Sequence, residues 1–175
     1  ARGRSFSPDP DVVIRHATAF IEAHHQRGIM CGIKHFPGHG SSSADSHLGL
    51  TDVTDGWSEG ELMPYRELVR RRLADVVLTA HIMLRHLDPD HPATLSGKII
   101  TGLLRKQIGF DGAVISDDLN MGAVRKYYSF EETIEGAVGA GVDVLLHGNV
   151  DHYDEAIIEK TLDVLHQLVA SGRLT

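Results

Sequence analysis

The sequence predicts an α/β fold on a parallel sheet, of the (β/α)8 TIM-type barrel class, from three observations. Helix-like and strand-like stretches alternate from one end of the chain to the other. The strand-like stretches are apolar throughout, as parallel strands covered on both faces are. Each one also ends in polar side chains: Lys34-His35, His81, Asp117-Asp118, and His147 with Asn149. In a barrel those ends converge on one face. A doubly wound sheet gathers fewer of them, and no glycine-rich phosphate fingerprint follows any strand. A closed barrel needs eight strands and roughly 250 residues. The 175 residues here offer four strands. The expectation is therefore a partial barrel, with residues 1–175 forming its central and later βα units.

The elements follow in order. Asp9 and Pro10 read as the N-cap and first position of a helix. Val13, Ala17, Phe20, Ile21 and His24 continue it at helical spacing until Gly28. Ile29 to Phe36 reads as a short strand that enters the turn Pro37-Gly38-His39-Gly40. Ser58 and Glu61 have capping-box spacing, before a helix with Leu62, Tyr65, Leu68, Val69 and Leu73 on its inner face. Asp75 to Ile82 is a second strand with the polar tip Thr79-Ala80-His81. Ser96 is expected to cap a helix that buries Ile99, Ile100, Leu103, Leu104 and Ile108. Ala113 to Ile115 is a third strand, ending in Ser116-Asp117-Asp118. Ser129 and Glu132 make another capping box, ahead of a helix through Ile134, Ala137 and Val138. Val142 to Leu146 is the fourth strand. A last helix, from about Asp154 to Ala170, carries Ile157, Ile158, Leu162, Leu165 and Leu168 and stops at Gly172. There is no fixed-period repeat.

Composition narrows the function. Hydrophobic residues make up 42% and charged residues 23%, as in ordinary globular proteins. The 17 basic and 24 acidic residues give a net charge of −7, which argues against a nucleic-acid or anionic-membrane surface. No apolar run approaches the length that spans a bilayer. The single cysteine, Cys31, excludes an intrachain disulfide. A cytoplasmic location is the expectation, although a chain that opens at Ala1 without methionine leaves the compartment undecided.

Chemistry concentrates in one stretch. From Lys34 to His47, fourteen positions hold three histidines, a lysine and an aspartate. Lys34-His35-Phe36-Pro37-Gly38-His39-Gly40 is followed by Asp45-Ser46-His47. Farther on come Thr79-Ala80-His81-Ile82, Pro92 to Ser96, Leu103 to Gly112, Val114 to Met121, and Gly141 to Leu146. In order and spacing these motifs resemble glycoside hydrolase family 3, in its N-terminal barrel domain and its β-N-acetylhexosaminidase (NagZ-like) branch. Arg4 and its neighbours Ser5 and Phe6 resemble the segment before the next family helix. The resemblance implies that earlier strands of the barrel lie N-terminal to residue 1. It also implies a retaining exo-β-N-acetylglucosaminidase acting on peptidoglycan fragments or chitooligosaccharides. The expected partner is thus a carbohydrate containing N-acetylglucosamine, with no cofactor, no metal, no nucleic acid and no membrane.

A retaining glycosidase needs a nucleophile at the anomeric carbon and a separate proton donor. Asp117, at a strand tip, is placed for the first role, and the resemblance assigns it there. If Asp117 faces inward, Ala113 and Ile115 do too, and Asp118 faces away as a cap or a supporting carboxylate. Taken alone, Ser-Asp-Asp reads as a turn. The resemblance gives acid/base catalysis to His47, paired with Asp45. In an extended loop these two point the same way, and an imidazole titrates near neutrality. Lys34, His35 and Arg4 are the implied ligands of sugar hydroxyls. His39 is expected to structure the loop, while His81 and His147 are expected to line the pocket or support it from behind.

Other readings stay open. They include a β-glucosidase-type or phosphorolytic family 3 enzyme and a non-catalytic fragment with exposed sheet edges. A barrel metallohydrolase that uses His35, His39, His47, His81 and Asp117 is weaker, because Lys34 would set a cation beside the metal.

Overall fold

The computed structural model describes residues 5–42, 49–150 and 153–174. Helix α1 (Pro10–His25) opens as the sequence dictates, with the Asp9 carboxylate accepting from the Asp11 N–H at 2.9 Å. Gly28 ends the turn beyond it at φ +70°. Three strands follow in parallel, β1 (Gly32–Phe36), β3 (Val76–Thr79) and β5 (Ala113–Ile115), in the order β1-β3-β5. Each lies beside its predecessor in the chain, the sequential winding that a barrel sheet uses. A second, two-stranded sheet pairs β2 (Thr51–Asp52) with β4 (Ile82–Met83), just past the tip of β3.

The connections are helical. A 3-10 turn (Glu59–Leu62) leads into α2 (Met63–Arg70), and its Leu68 meets Ala17 and Ile21 of α1 with Cys31 between. Lys98–Ile108 forms a wide helix in which the Gly102 N–H reaches the Gly97 carbonyl at 2.9 Å. Ser96 Oγ accepts from the Ile99 N–H at its start, as expected of a cap. A short helix, α3 (Gly122–Arg125), precedes α4 (Phe130–Ala140) and α5 (Ile157–Ala170). The capping box of α4 is complete, with Ser129 Oγ accepting from the Glu132 N–H while Glu132 accepts from the Ser129 N–H. The core lies between the sheet and its helices, where Phe36, Val77 and Val114 meet Ile99, Ile100 and Leu104.

Several expectations are corrected. Ser58 makes no capping bond, because the Glu61 side chain is drawn to the loop after β1 instead. The first strand begins at Gly32, with Ile29 and Met30 left on the surface. Val142 to Leu146 meets β5 through a single bridge, Ile115 to Val144. Regular pairing stops there because the Asp143 carboxylate takes the Val114 N–H at 2.7 Å, where a strand carbonyl would otherwise sit. Phe20 is 54% exposed and stacks on His24. On α5 the buried stripe is Ile157, Thr161, Val164 and Leu168, leaving Ile158 and Leu162 in solvent. Ile157, Thr161, Val164 and Leu168 recur at helical spacing along one stripe, and Thr161 lies on it while Leu162 is turned about 100° away. Among the described residues, helices close one sheet face: Val77, Val114 and Ser116 are buried, while Val76, Leu78, Ala113 and Ile115 on the other face are half-buried.

The two serines make a test. Ser129→Ala should lower unfolding stability by about 1 kcal/mol, as the loss of an N-cap does. Ser58→Ala should stay within about 0.5 kcal/mol of wild type. Urea midpoints of the two variants would separate them, and equal losses would contradict the caps described here.

Candidate active site

The polar tips gather at the C-terminal ends of the strands. Asp117 lies two residues beyond β5. It is half-buried, like Ala113 and Ile115, while Val114 and Ser116 are buried. Its N–H donates to Thr79 Oγ1 at 3.1 Å, and its Oδ1 accepts from the Asp118 N–H at 2.9 Å. Oδ2 has no hydrogen-bond partner among the described residues. Asp118 does the supporting work that alternation implies. Its Oδ1 accepts from the N–H groups of Asn120 at 3.0 Å and Gly148 at 2.8 Å. A Cβ on Gly148 would stand 2.4 Å from Asp118 Oδ2, so a side chain there would push the carboxylate aside.

Beside Asp117 lie buried polar side chains. Thr79 and Thr94 are fully buried, with their hydroxyls 2.8 Å apart. Thr94 Oγ1 also bonds the Ala80 carbonyl at 2.9 Å. His81 is buried as well, and its Nε2 donates to the Asp118 carbonyl at 2.9 Å. Burial pushes its pKa down, outweighing the opposite pull of Asp117 and then Asp118. Its Nδ1 has no partner among the described residues. His147 bonds Thr161 Oγ1 through Nε2 at 3.1 Å, and burial lowers its pKa too. His81 thus supports the end of β5, while His147 ties its own segment to α5.

Near Thr94 in the chain lies a buried carboxylate that sequence reasoning missed. Asp88 is buried and accepts from Ser96 Oγ at 2.6 Å, the Asp90 N–H at 3.1 Å and Lys98 Nζ at 3.2 Å. Burial alone would raise its pKa, yet these donors, Ser96 foremost, hold it below the ordinary carboxylate range. The only sequence signal was its place between two turns, which does not distinguish it from a solvated aspartate.

At the tip of β1, Lys34 is exposed and His35 half-buried, its ring edge-on to His39 at 5.9 Å. β1 and β5 flank β3, so their tips stand about 10 Å apart by interstrand spacing. The turn after β1 is clamped from outside. Trp57 Nε1 donates to the Pro37 carbonyl at 3.1 Å, and Glu61 accepts from the Gly40 N–H at 3.1 Å and from Ser41 Oγ. Gly38 lies at φ +122°, and a Cβ there would meet Glu61 Oε2 at 2.6 Å. His39 Nδ1 bonds Ser42 Oγ, in keeping with a loop-structuring role. Arg4, Asp45 and His47 lie outside the described residues. Among the described residues, no three His, Cys, Asp or Glu side chains come together as a metal would need. Among them, too, no helix is long and apolar enough to cross a membrane.

Comparison with known proteins gives a consistent answer. The family described as glycosyl hydrolase family 3 N terminal domain matches residues 1–175. A β-hexosaminidase of Tolumonas auensis is 42% identical over 149 residues, covering 83% of this chain and 44% of the relative. A family 3 β-N-acetylglucosaminidase structure from Paenibacillus sp. FPU-7 superposes with TM-score 0.86 at 36% identity, over 98% of this chain and 32% of that one. CbsA from Thermotoga neapolitana gives TM-score 0.89 at 34% identity, over 98% and 39%. The chain therefore spans less than half the length of each.

The buried imidazole has a measurable effect. His81 stays neutral in the fold, but the unfolded chain protonates it below about pH 6.5. The unfolded state then binds more protons, so stability should fall as pH drops through that value. His81→Gln keeps a donor for Asp118 without the titration. Its denaturation midpoint should therefore fall less steeply than that of wild type between about pH 7 and pH 5. Parallel curves would show that His81 is not held neutral.

Proposed function

The chain belongs to glycoside hydrolase family 3, and on that footing we propose that it forms part of the catalytic barrel of a retaining exo-β-N-acetylglucosaminidase. The substrate class is glycans ending in β-linked N-acetylglucosamine, as in peptidoglycan fragments or chitooligosaccharides. The observation that carries the reading is Asp117, just past the end of β5, with its backbone pinned and one carboxylate oxygen uncommitted among the described residues. The β-hexosaminidase relatives support the choice of sugar.

In this reading Asp117 Oδ2 attacks the anomeric carbon as the glycosidic bond breaks, and the departing oxygen takes a proton from His47. Asp45 holds the imidazole in the tautomer that can give that proton. Water then attacks the same carbon, His47 takes a proton back, and the Asp117 carboxylate is released. Lys34, His35 and Arg4 hold the sugar hydroxyls, and Lys34, exposed on the tip of β1, adds positive charge near them. No cofactor enters any step. Phosphate could replace water in the second step, since an imidazole repels it less than a carboxylate would.

The test is release of 4-nitrophenol from its β-N-acetylglucosaminide by the complete natural polypeptide that carries this sequence, with chelator present. Wild type should turn over. Asp117→Ala should lose on the order of 10³-fold or more, and His47→Ala should be impaired on the same substrate. Undiminished turnover in Asp117→Ala would overturn the nucleophile assignment. Turnover lost to chelator and restored by Zn²⁺ would favour a metallohydrolase.

A further inference from the structure

We propose that Thr79 and His81 are positioning residues for the nucleophile, gripping the Asp117-Asp118 backbone from the tip of the neighbouring strand. The proposal rests on the assignment of Asp117 made above. The β3–β5 ladder ends at the pair Leu78 and Ile115. Beyond it the two strands are joined by side chains. Thr79 Oγ1 accepts the Asp117 N–H at 3.1 Å, and His81 Nε2 donates to the Asp118 carbonyl at 2.9 Å. One bond lies before the Asp117 side chain in the chain and the other just after it, so the peptide cannot swing about either end alone.

Proton bookkeeping gives the grip a direction. Thr94 has one hydroxyl hydrogen, directed to the Ala80 carbonyl at 2.9 Å. At the 2.8 Å contact it can then only accept, so Thr79 is the donor there and its own hydrogen is used. What Thr79 offers Asp117 is a lone pair, and the backbone N–H fills it. The donors run one way, from Asp117 N–H through Thr79 and Thr94 to Ala80. Thr79, Thr94 and His81 are all fully buried, so water cannot substitute for a lost partner. At His81 a carbonyl acceptor fixes the Nε2–H tautomer. The carboxylate itself is not gripped by either residue, and Oδ2 is left for chemistry.

Paired variants of the complete polypeptide separate positioning from mere structure. Thr79→Val keeps the shape but loses the acceptor, whereas Thr79→Ser keeps it. His81→Leu removes the donor, whereas His81→Gln can present one at the Nε2 position. In the 4-nitrophenyl assay, Thr79→Val and His81→Leu should each lower kcat by about 10- to 100-fold, with KM within about 3-fold of wild type. Thr79→Ser and His81→Gln should recover most of the loss. If Thr79→Val does not fold, Thr94→Val removes only the far end of the chain and should lower kcat about 3- to 10-fold. An unchanged kcat in the folded Val and Leu variants, or a rise in KM alone, would overturn the proposal while Asp117→Ala stays inactive. An Asp117→Ala variant that retains activity would overturn the nucleophile assignment, and this proposal with it.

Discussion

A parallel sheet cannot carry its ladder past the ends of its strands, yet the peptide groups there still need partners. Most of the polar side chains at the strand ends meet that need. At the upper ends Thr79 serves the Asp117 N–H, His81 the Asp118 carbonyl, Ser116 the Leu146 N–H, and Asp118 the Asn120 and Gly148 N–H groups. At the lower ends Asp75 takes the Cys31 N–H and the ring of His25. Asp143 takes the Val114 N–H, and Arg105 the carbonyls of Phe110 and Gly112. Against that background Asp117 stands out, because half of its carboxylate has no such duty among the described residues.

Local patterns were legible in the sequence where the physics is local. The α1 cap at Asp9 and the Ser129–Glu132 box are closed by groups two or three residues apart, and both form as read. Ser58 and Glu61 carry the same spacing and fail, because Glu61 finds better donors at Gly40 and Ser41, about twenty positions away. No window along the chain contains that competition. The fourth strand fails as a ladder for a related reason. Its own Asp143 side chain intercepts the N–H that would have paired with it.

The site was legible in the same uneven way. Alternation along β5 suggested a cap or supporting role for Asp118, and its carboxylate does accept from the Asn120 and Gly148 N–H groups. Asp88 could not be told from a solvated aspartate in sequence, and Thr94 stood there only as one member of a motif, since their roles lie in burial and in partners. His81 and His147 were expected either to line the pocket or to support it from behind, and the bonds they make are of the supporting kind. A histidine at a strand tip looks the same in sequence whether it faces a substrate or a carbonyl.

The closeness of Asp118 to Gly148 ties two distant positions together. The carboxylate fills the space that a side chain at 148 would need, and it bonds the backbone there across an interval of thirty residues. During divergence, a larger residue at position 148 requires the carboxylate at position 118 to move aside or shorten. A shortened 118 would in turn leave the 148 amide without its acceptor. The two positions are therefore expected to covary, or to be frozen together, as a single heritable unit split across the chain.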